Sequence, residues 1–537
     1  AYDGLAVYDL TGRSLPAGMA LTEAGLRITI DDAGAVYPLT VDPLLHSQTH
    51  ILRASNAQAS DYFGYAVDLD GDTLVIGASS EDGITETLTN TGAAYIFQRN
   101  QDGADAWGEV AVLRASDAQA NDAFGSAVAI SGNTVIVGAP YEDGESDSAL
   151  DSGSVYIFYQ NQGGANAWGQ VAVVRNPDWL PDAQFGSAVT LDGDVAAVAA
   201  RNALGNTGVV YILYRNQGGA DQWGMWTYVE DYEWDSDDHY GADLDLSGDT
   251  LVVGAYGEDG GTGNPLSESG AAFVYQRNEV AADIWGHVTT LRASDAQVND
   301  YFGFSVSISG DTIVVGAALE DGGPGDPLSN AGAAYVFRRN QGGADLWGQV
   351  AILHASDAQV GDMFGASLGL DGDLLVVGAQ NEGGGLGDPL TSSGAAYVFE
   401  RSQGGIDAWG EINILRASDA QEYDYFGTPV AIDGNMIVAG AYTDNGGSGD
   451  PLIDAGAVYL FSAGGTWQEA AEIRNITAND YGLDAALDGD TLVVGAHHGG
   501  LSQAGEVYVY YRDQDGAGAG SYTHLTLPTI LRGVSAR

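Results

Sequence analysis

Residues 113–140 read LRASDAQANDAFGSAVAISGNTVIVGAP. The pair Phe124-Gly125 in this stretch is one of eight aromatic-glycine pairs, which follow one another at steps of 61, 61, 55, 62, 62, 62 and 55 residues. The pairs are Phe63-Gly64, Phe124-Gly125, Phe185-Gly186, Tyr240-Gly241, Phe302-Gly303, Phe364-Gly365, Phe426-Gly427 and Tyr481-Gly482. Self-similarity at a nearly fixed period is typical of repeat proteins, so the chain is predicted to contain eight related units.

Each unit is predicted to form four short strands, which we call A to D. In the second unit they are SAVAI (126–130), TVIVGA (134–139), VYIF (155–158) and VAVVR (171–175), all rich in β-branched and aromatic residues. The Gly132-Asn133 link between strands A and B suits a tight hairpin with a positive φ. Four-stranded antiparallel units repeated along a chain indicate an all-β fold, a β-propeller, in which neighbouring blades cover each other's apolar faces.

The strand count predicts how such a ring closes. There are eight A–B–C sets, but the eighth lacks its own strand D, and one D-like strand at 50–54 precedes the first unit. We therefore expect an eight-bladed propeller closed by strands from both ends of the chain. Seven blades plus an extra unit is the alternative.

The repeated motif resembles bacterial FG-GAP repeats, which are related to the propeller of integrin α subunits. The resemblance covers residues 50–512, and it implies a secreted or cell-surface protein that binds partners or calcium. Residues 1–45 resemble the end of a truncated β-domain or linker. Residues 513–537 do not resemble native sequence and are expected to be a non-native or disordered tail. The protein is expected to be part of a larger chain whose signal peptide lies outside this sequence.

Composition narrows the classes of partner. There are 74 acidic residues against 18 basic ones, all of them arginine, and the net charge is −56. Such a charge repels nucleic acid and anionic lipid surfaces. The chain has no cysteine, which excludes disulfides, thiolate zinc ligands and thiol catalysis. No apolar stretch is long enough for a membrane span. We expect a protein or glycan partner at the cell surface, and neither nucleic acid nor membrane insertion.

The acidic residues are predicted to collect on one face. Because strand direction alternates, the D–A and B–C loops share one face of a propeller, and the A–B and C–D loops share the other. The B–C loops supply the candidate ligand-binding residues Glu81, Asp82, Glu142, Asp143, Glu258, Asp259, Glu320, Asp321, Glu382 and Asp444. The D–A loops supply Asp61, Asp122, Asp238, Asp300, Asp362 and Asp424, which we interpret first as turn caps and second as ligands.

These sequence patterns require no cofactor. Calcium is the possible cofactor that the family resemblance implies. Calcium needs six to eight oxygen ligands, often from aspartates at alternate positions. The A–B hairpins are too short for the Asp-x-Asp-x-Asp-Gly loop of integrins. The densest acidic run, 230–249, supplies the candidate metal ligands Asp235, Asp237, Asp238, Asp243, Asp245 and Asp249.

Catalytic motifs are weak. Ser367 stands in a Gly-x-Ser-x-Gly pattern, but the pattern lies along a predicted strand rather than at a strand-to-helix turn. Units three and eight diverge at Arg201-Asn202 and His497-His498, and we interpret the divergence of unit three as decay of the motif or as a repair of packing. The prediction is a non-catalytic, extracellular binding or adhesion module that uses an acidic loop face. A structural spacer and a propeller lyase or hydrolase are the alternatives.

Overall fold

The computed structural model describes residues 54–441, apart from short segments, and outside that range it describes strands alone. The segments left out are 57–60, 84–87, 100, 102–106, 145–149, 163, 165, 178–179, 218, 220, 231–235, 262, 264, 280–282, 323–326, 342, 344, 386–389, 404–407, 419 and 435. No helix among the described residues is long and apolar enough to cross a membrane.

Five strands precede the first complete repeat unit. They are β1 (Leu5–Tyr8), β2 (Ala17–Thr22), β3 (Gly25–Ile30), β4 (Thr40–Pro43) and β5 (His50–Leu52). β1 pairs with β4 and β2 pairs with β3, both antiparallel. The assignment of residues 1–45 to a truncated β-domain stays a prediction, and the predicted tail lies outside the described residues.

The repeat units form four-stranded antiparallel sheets, here called blades 1 to 8. Blade 1 has β6 (Phe63–Asp70), β7 (Thr73–Ala78), β8 (Ala93–Arg99) and β9 (Trp107–Leu113). Blade 2 has β10 (Ala127–Ser131), β11 (Thr134–Ala139), β12 (Ser154–Gln160) and β13 (Trp168–Arg175). Blade 3 has β14 (Phe185–Asp192), β15 (Val195–Ala200), β16 (Val209–Tyr214) and β17 (Gly224–Val229). Blade 4 has β18 (Leu244–Ser247), β19 (Thr250–Ala255), β20 (Ala271–Arg277) and β21 (Trp285–Leu291).

The second half of the ring repeats this order. Blade 5 has β22 (Phe302–Ser309), β23 (Thr312–Ala317), β24 (Ala333–Arg339) and β25 (Trp347–Leu353). Blade 6 has β26 (Phe364–Asp371), β27 (Leu374–Ala379), β28 (Ala395–Arg401) and β29 (Trp409–Leu415). Blade 7 has β30 (Val430–Asp433), β31 (Met436–Ala441), β32 (Ala457–Ala463) and β33 (Trp467–Arg474). Blade 8 has β34 (Asn479–Asp488), β35 (Thr491–His498) and β36 (Glu506–Tyr511). The helical element α1 (Ala203–Asn206) is a single irregular turn between β15 and β16.

The N-terminal strand completes the last sheet, as the sequence predicts. β5 pairs antiparallel with β36, with Ile51 opposite Tyr508. Strand A of each blade contacts strand A of the next, and β34 contacts β6 in the same way. Val493 of blade 8 packs in the apolar cluster of blade 1, beside Phe63 and Tyr95. Among the described strands, the eight sheets therefore follow one another in a closed cycle.

The aromatic residue of each aromatic-glycine pair belongs to the core. Phe364 is fully buried and packs edge-to-face on Tyr397 of its own blade, with ring centroids 5.3 Å apart. In blade 4 the two ring types are exchanged, because Tyr240 packs on Phe273 at 5.1 Å. The same contact is made by Phe63, Phe124, Phe185, Phe302 and Phe426. These pairs build the blade, while apolar clusters shared by adjacent blades hold the ring together.

The glycines of the motif allow the blades to approach closely. A Cβ atom at Gly316 in strand B would overlap the carbonyl oxygen of Gly365 in the next blade. A Cβ at Gly332, just before strand C, would overlap the carbonyl oxygen of Phe364. Gly365 itself has a φ of +92°, which favours glycine. The repeated Phe-Gly and Gly-Ala pairs therefore meet at the blade interface.

Candidate functional site

The glutamates of the B–C loops are buried, although the sequence places them on a ligand-binding face. Five of them are described: Glu81, Glu142, Glu258, Glu320 and Glu382. None is more than 4% exposed. Each accepts a hydrogen bond from the backbone N–H of the glycine two residues later, at 2.8–3.0 Å. These carboxylates therefore close their own loops instead of facing a partner.

A base at the end of strand D lies beside each of these five buried glutamates. In blade 6, Arg416 donates to Glu382 through Nη2 at 2.9 Å and through Nε at 3.3 Å. The equivalent bases are Arg114, Arg175 and Arg292, and in blade 5 His354, which lies 3.7 Å from Glu320. A buried carboxylate is costly unless it is paired in this way. The pair ties the B–C loop to the end of strand D in the same blade.

The ion pair continues into the loop that arrives from the preceding blade. Arg416 also donates to Asp357 at 2.6 Å, and Asp357 accepts from the Tyr397 hydroxyl at 2.8 Å. Burial, followed by the charges of Asp357 and Glu382, raises the pKa of Tyr397 well above its ordinary value. The phenol therefore stays protonated and remains a donor. This network joins one blade to its neighbour, so its acidic residues stabilise the contact between adjacent blades.

The ligand-face prediction needs correction for these glutamates, because their carboxylate oxygens are committed inside the protein. The aspartates that follow four of them are half-buried, and each accepts one backbone N–H from across its loop at 2.8–2.9 Å. These are Asp82, Asp143, Asp259 and Asp321. Their role in partner binding stays a prediction, and Asp444 lies outside the described residues.

The D–A aspartates cap turns. Asp122, Asp300, Asp362 and Asp424 are at most 2% exposed. Each accepts the backbone N–H of the residue three positions earlier, at 2.6–2.7 Å. Burial, with Glu142 and Asp143 nearby, raises the pKa of Asp122 to about 7. Burial, with Glu320 and Asp321 nearby, does the same for Asp300. The turn-cap interpretation is confirmed for these four.

The raised pKa values predict that stability falls as pH rises. An aspartate in the unfolded chain titrates near pH 4. Between that pH and about pH 7 the folded state therefore binds more protons at Asp122 and Asp300, and its stability decreases across this window. The free energy of unfolding of the parent should decrease between pH 4 and pH 8. In the double variant Asp122→Asn, Asp300→Asn we expect this decrease to be smaller, by at least about 1.4 kcal/mol for each carboxyl removed.

Urea unfolding at several pH values measures this difference. The control is the double variant Asp311→Asn, Asp373→Asn, which removes the same charge from carboxylates that are 60% and 61% exposed. It should retain the slope of the parent. An unchanged slope in the Asp122 and Asp300 variant would show that these carboxyls are ionised in the folded state at pH 4.

Among the predicted metal ligands that the structure describes, Asp243 and Asp245 have another role. Asp243 accepts the backbone N–H of Val306, on strand A of the next blade, at 2.9 Å. Asp245 accepts that of Ile308 at 2.8 Å. Strands A of neighbouring blades make no backbone ladder with one another, so these carboxylates bridge them. The second oxygen of each accepts its own following N–H.

The other candidate metal ligands are dispersed. Asp237 is exposed and accepts from the Asn206 amide at 2.8 Å, Asp238 is buried, and Asp249 lies 3.7 Å from Arg277 on the opposite face. Asp235 lies outside the described residues. Among the described residues no three acidic or histidine side chains group as a metal site would require. The assignment of these residues as metal ligands stays a prediction, as does calcium binding itself.

The A–B and C–D face carries exposed carboxylates that the sequence analysis did not single out. An arginine at the end of strand C lies between two of them in blades 3, 4 and 5; Arg277, for example, lies 3.7 Å from Asp249 and 2.7 Å from Asp283. The aspartates of these three clusters are 55–69% exposed and are Asp194, Asp221, Asp249, Asp283, Asp311 and Asp345. Exposed pairs of this kind contribute little to stability. They make this face hydrophilic and partly neutralised.

A cavity of about 600 Å³ opens at the other face, where the D–A and B–C loops meet strands A of blades 4 to 6. We call it the channel-mouth cavity. Its lining includes Arg201, His239, Tyr256, Phe304 and Ser367. Its volume is in the range of small-molecule sites. Its lining combines aromatic and polar groups.

One wall of the cavity is aromatic. His239 stacks on Tyr256, with ring centroids 4.8 Å apart and planes 22° apart. Tyr256 also contacts Tyr301 at 5.3 Å and Phe304 at 5.7 Å. His239 and Tyr301 have positive φ angles of 54° and 57°, and both immediately precede an aromatic-glycine pair. Both residues are partly buried.

Sequence reasoning noted the divergence at Arg201 but attributed it to decay of the motif or to packing. Ala203 stands in unit three where units one, two, four, five and six have the buried glutamate, and Glu230 stands where those five units have the strand-D base. Unit three has therefore lost both partners of that ion pair. Comparing the residue after each Gly-Ala pair would have exposed the difference, since Arg201 aligns with Ser79, Pro140, Tyr256, Ala318 and Gln380.

Comparison with known proteins agrees with this architecture. The family model described as FG-GAP repeat matches residues 46–97, 107–158, 232–275, 285–337, 347–399 and 409–461. Units three and eight are not among the matched segments.

Two crystal structures of Sqt1 from Chaetomium thermophilum are similar, at 13% and 12% identity and TM-scores of 0.52 and 0.51. The alignments cover 84% of this chain and 97% and 96% of theirs. This likeness shows the fold alone. No curated protein matches the chain.

Proposed function

Because the chain belongs to the FG-GAP repeat family, we propose that it is a non-catalytic binding module that recognises a glycan at the cell surface or outside the cell. The fold and family support a non-enzymatic binding or structural module in general. The glycan, the location and the site are the proposal.

The channel-mouth cavity is the observation that carries this proposal. It combines a half-exposed aromatic wall with the polar side chains of Arg201, Asn202 and His239. Ring faces beside convergent polar groups suit a ligand that has both apolar and hydrogen-bonding surfaces, as a sugar has. A cavity of about 600 Å³ admits a short saccharide more readily than the broad surface of a folded protein.

The proposal is tested by filling the cavity. Ala242 lines it at the position after Gly241, and the same repeat position holds Tyr65 in blade 1 and Phe304 in blade 5. The Ala242→Phe variant is therefore expected to fold. We expect it to lose retention on an array of glycans and proteins by about tenfold or more, because it occupies the space of the ligand.

Ser126→Phe is the matched control, since Ser126 stands at the equivalent position of blade 2 and does not line the cavity. It should bind like the parent chain. Running the array in millimolar calcium and in chelator tests the calcium-assisted form of the proposal. Retention on proteins alone would contradict the glycan assignment. No specific retention, or retention that Ala242→Phe leaves intact, would favour a structural spacer or another site.

A further inference from the structure

Arg201 is unusual among the arginines of this acidic protein. It is exposed at the cavity and makes no ion pair with any residue that the structure describes. By contrast, Arg114, Arg215, Arg292 and Arg416 each lie against a carboxylate at 2.5–2.9 Å. Among the described residues no carboxylate pairs with Arg201, so no described side chain competes with a ligand for its guanidinium group.

Arg201 and Asp243 are lining residues of opposite charge, and both carboxylate oxygens of Asp243 accept backbone N–H groups, those of Val306 and Leu244. Burial lowers the pKa of His239; the charge of Asp237 opposes this shift, and the charge of Arg201 adds to it. The imidazole is therefore neutral at pH 7 and offers one donor and one acceptor. Burial raises the pKa of Tyr256, so its phenol is neutral as well. Asp237 and Glu268 are nearby acids; Asp237 accepts from the Asn206 amide at 2.8 Å, and Glu268 accepts from the Tyr301 hydroxyl at 3.2 Å.

We propose that the channel-mouth cavity binds a saccharide that carries a single carboxylate, such as a terminal uronic acid, with the carboxylate on Arg201 and the sugar ring against the aromatic wall. This assignment rests on the proposed function and specifies its ligand. Guanidinium groups bind carboxylates through two parallel hydrogen bonds, which are stronger than neutral ones.

The net charge of the protein limits the ligand to few charges. At −56, the surface repels a polyanion as it approaches. At physiological salt this field is screened beyond about 8 Å. A ligand with one carboxylate, which enters the cavity and meets Arg201 at short range, avoids most of the repulsion. A long polyuronate would cross the acidic surface and is disfavoured.

Titration calorimetry of the full chain with two matched disaccharides tests the assignment. Cellobiouronic acid carries one carboxylate where cellobiose has a hydroxymethyl group. We expect the acid to bind the parent chain at least about tenfold more tightly than cellobiose, because a charge-assisted pair is gained. In Arg201→Gln the two disaccharides should bind equally, at the affinity of cellobiose.

Arg401→Gln is the control, because Arg401 pairs with Asp373 at 2.7 Å on the opposite face. It should retain the preference for the acid. Equal affinities in the parent chain, or a preference that survives in Arg201→Gln, would overturn the carboxylate assignment and leave the glycan-binding proposal standing. Tighter binding of N-acetyl-aspartate amide than of either sugar, lost in Arg201→Gln, would overturn the saccharide class. Absence of binding by every probe overturns this inference, while the Ala242→Phe array result decides the proposed function independently.

Discussion

Replacing Arg416 with methionine is expected to lower the free energy of unfolding by about 3–5 kcal/mol, because it leaves a buried carboxylate without its counter-charge. Glu382 is fully buried, and Arg416 is its cationic partner. The remaining donors to Glu382, the N–H groups of Gly384 and Gly385, are neutral. Urea unfolding of the full chain measures the loss.

A second substitution distinguishes charge from packing. Adding Glu382→Gln to Arg416→Met removes the uncompensated charge and should restore at least about 2 kcal/mol, within the range of coupling energies for residues in contact. Arg401→Met is the matched control, because it breaks a pair whose aspartate, Asp373, is 61% exposed. It should cost less than about 1 kcal/mol. Equal losses for Arg416→Met and Arg401→Met would contradict the structural role of the buried pair.

Replacing Gly378 with alanine is expected to destabilise the ring by about 3 kcal/mol or more, because the new methyl group meets backbone that cannot rotate away. A Cβ at Gly378 would overlap the carbonyl oxygen of Gly427 in blade 7. Blades 6 and 7 would have to separate, and that would loosen the apolar cluster around Phe426 and Tyr459. Chemical unfolding provides the measurement.

Two other substitutions isolate the steric effect. Gly372→Ala, in the A–B hairpin of blade 6, introduces a methyl group into open space at a φ of +57°. It should lower the free energy of unfolding only by the penalty of a left-handed backbone conformation for alanine, about 1–2 kcal/mol. Ala199→Gly alters the one described interface where strand B already carries a methyl group, beside Gly241. It should change stability by less than about 1 kcal/mol. If Gly378→Ala proves no costlier than Gly372→Ala, close approach is not the reason for the glycine.

Much of the fold could be predicted because the repeat makes local patterns redundant. Strand identity followed from β-branched runs between glycine turns, and the closing strand followed from counting strands D. The exchange of ring types between Tyr240 and Phe273 is also visible in the sequence. Tyr240 stands where most units have phenylalanine, and Phe273 stands where the other units have tyrosine.

The candidate site could not be predicted in the same way. The identity of an Asp or Glu in a loop does not show whether its carboxylate is exposed or buried. Only the packed structure shows that Glu382 meets Arg416 from a strand 34 residues away, or that Asp243 meets Val306 63 residues away. Arg201 was visible as a departure from the repeat, but the lack of an ion pair to any described carboxylate depends on which side chains lie nearby in space.

By itself the sequence determined the all-β repeat, the order of the strands, the closing strand and the acidic, cysteine-free composition, because these depend on local periodicity and on counts. The tertiary structure decided which acidic groups are buried, which ones bridge blades and where a cavity remains. Those outcomes depend on desolvation and on contacts between residues far apart in the chain, because a carboxylate's role is set by the donors that packing brings to it.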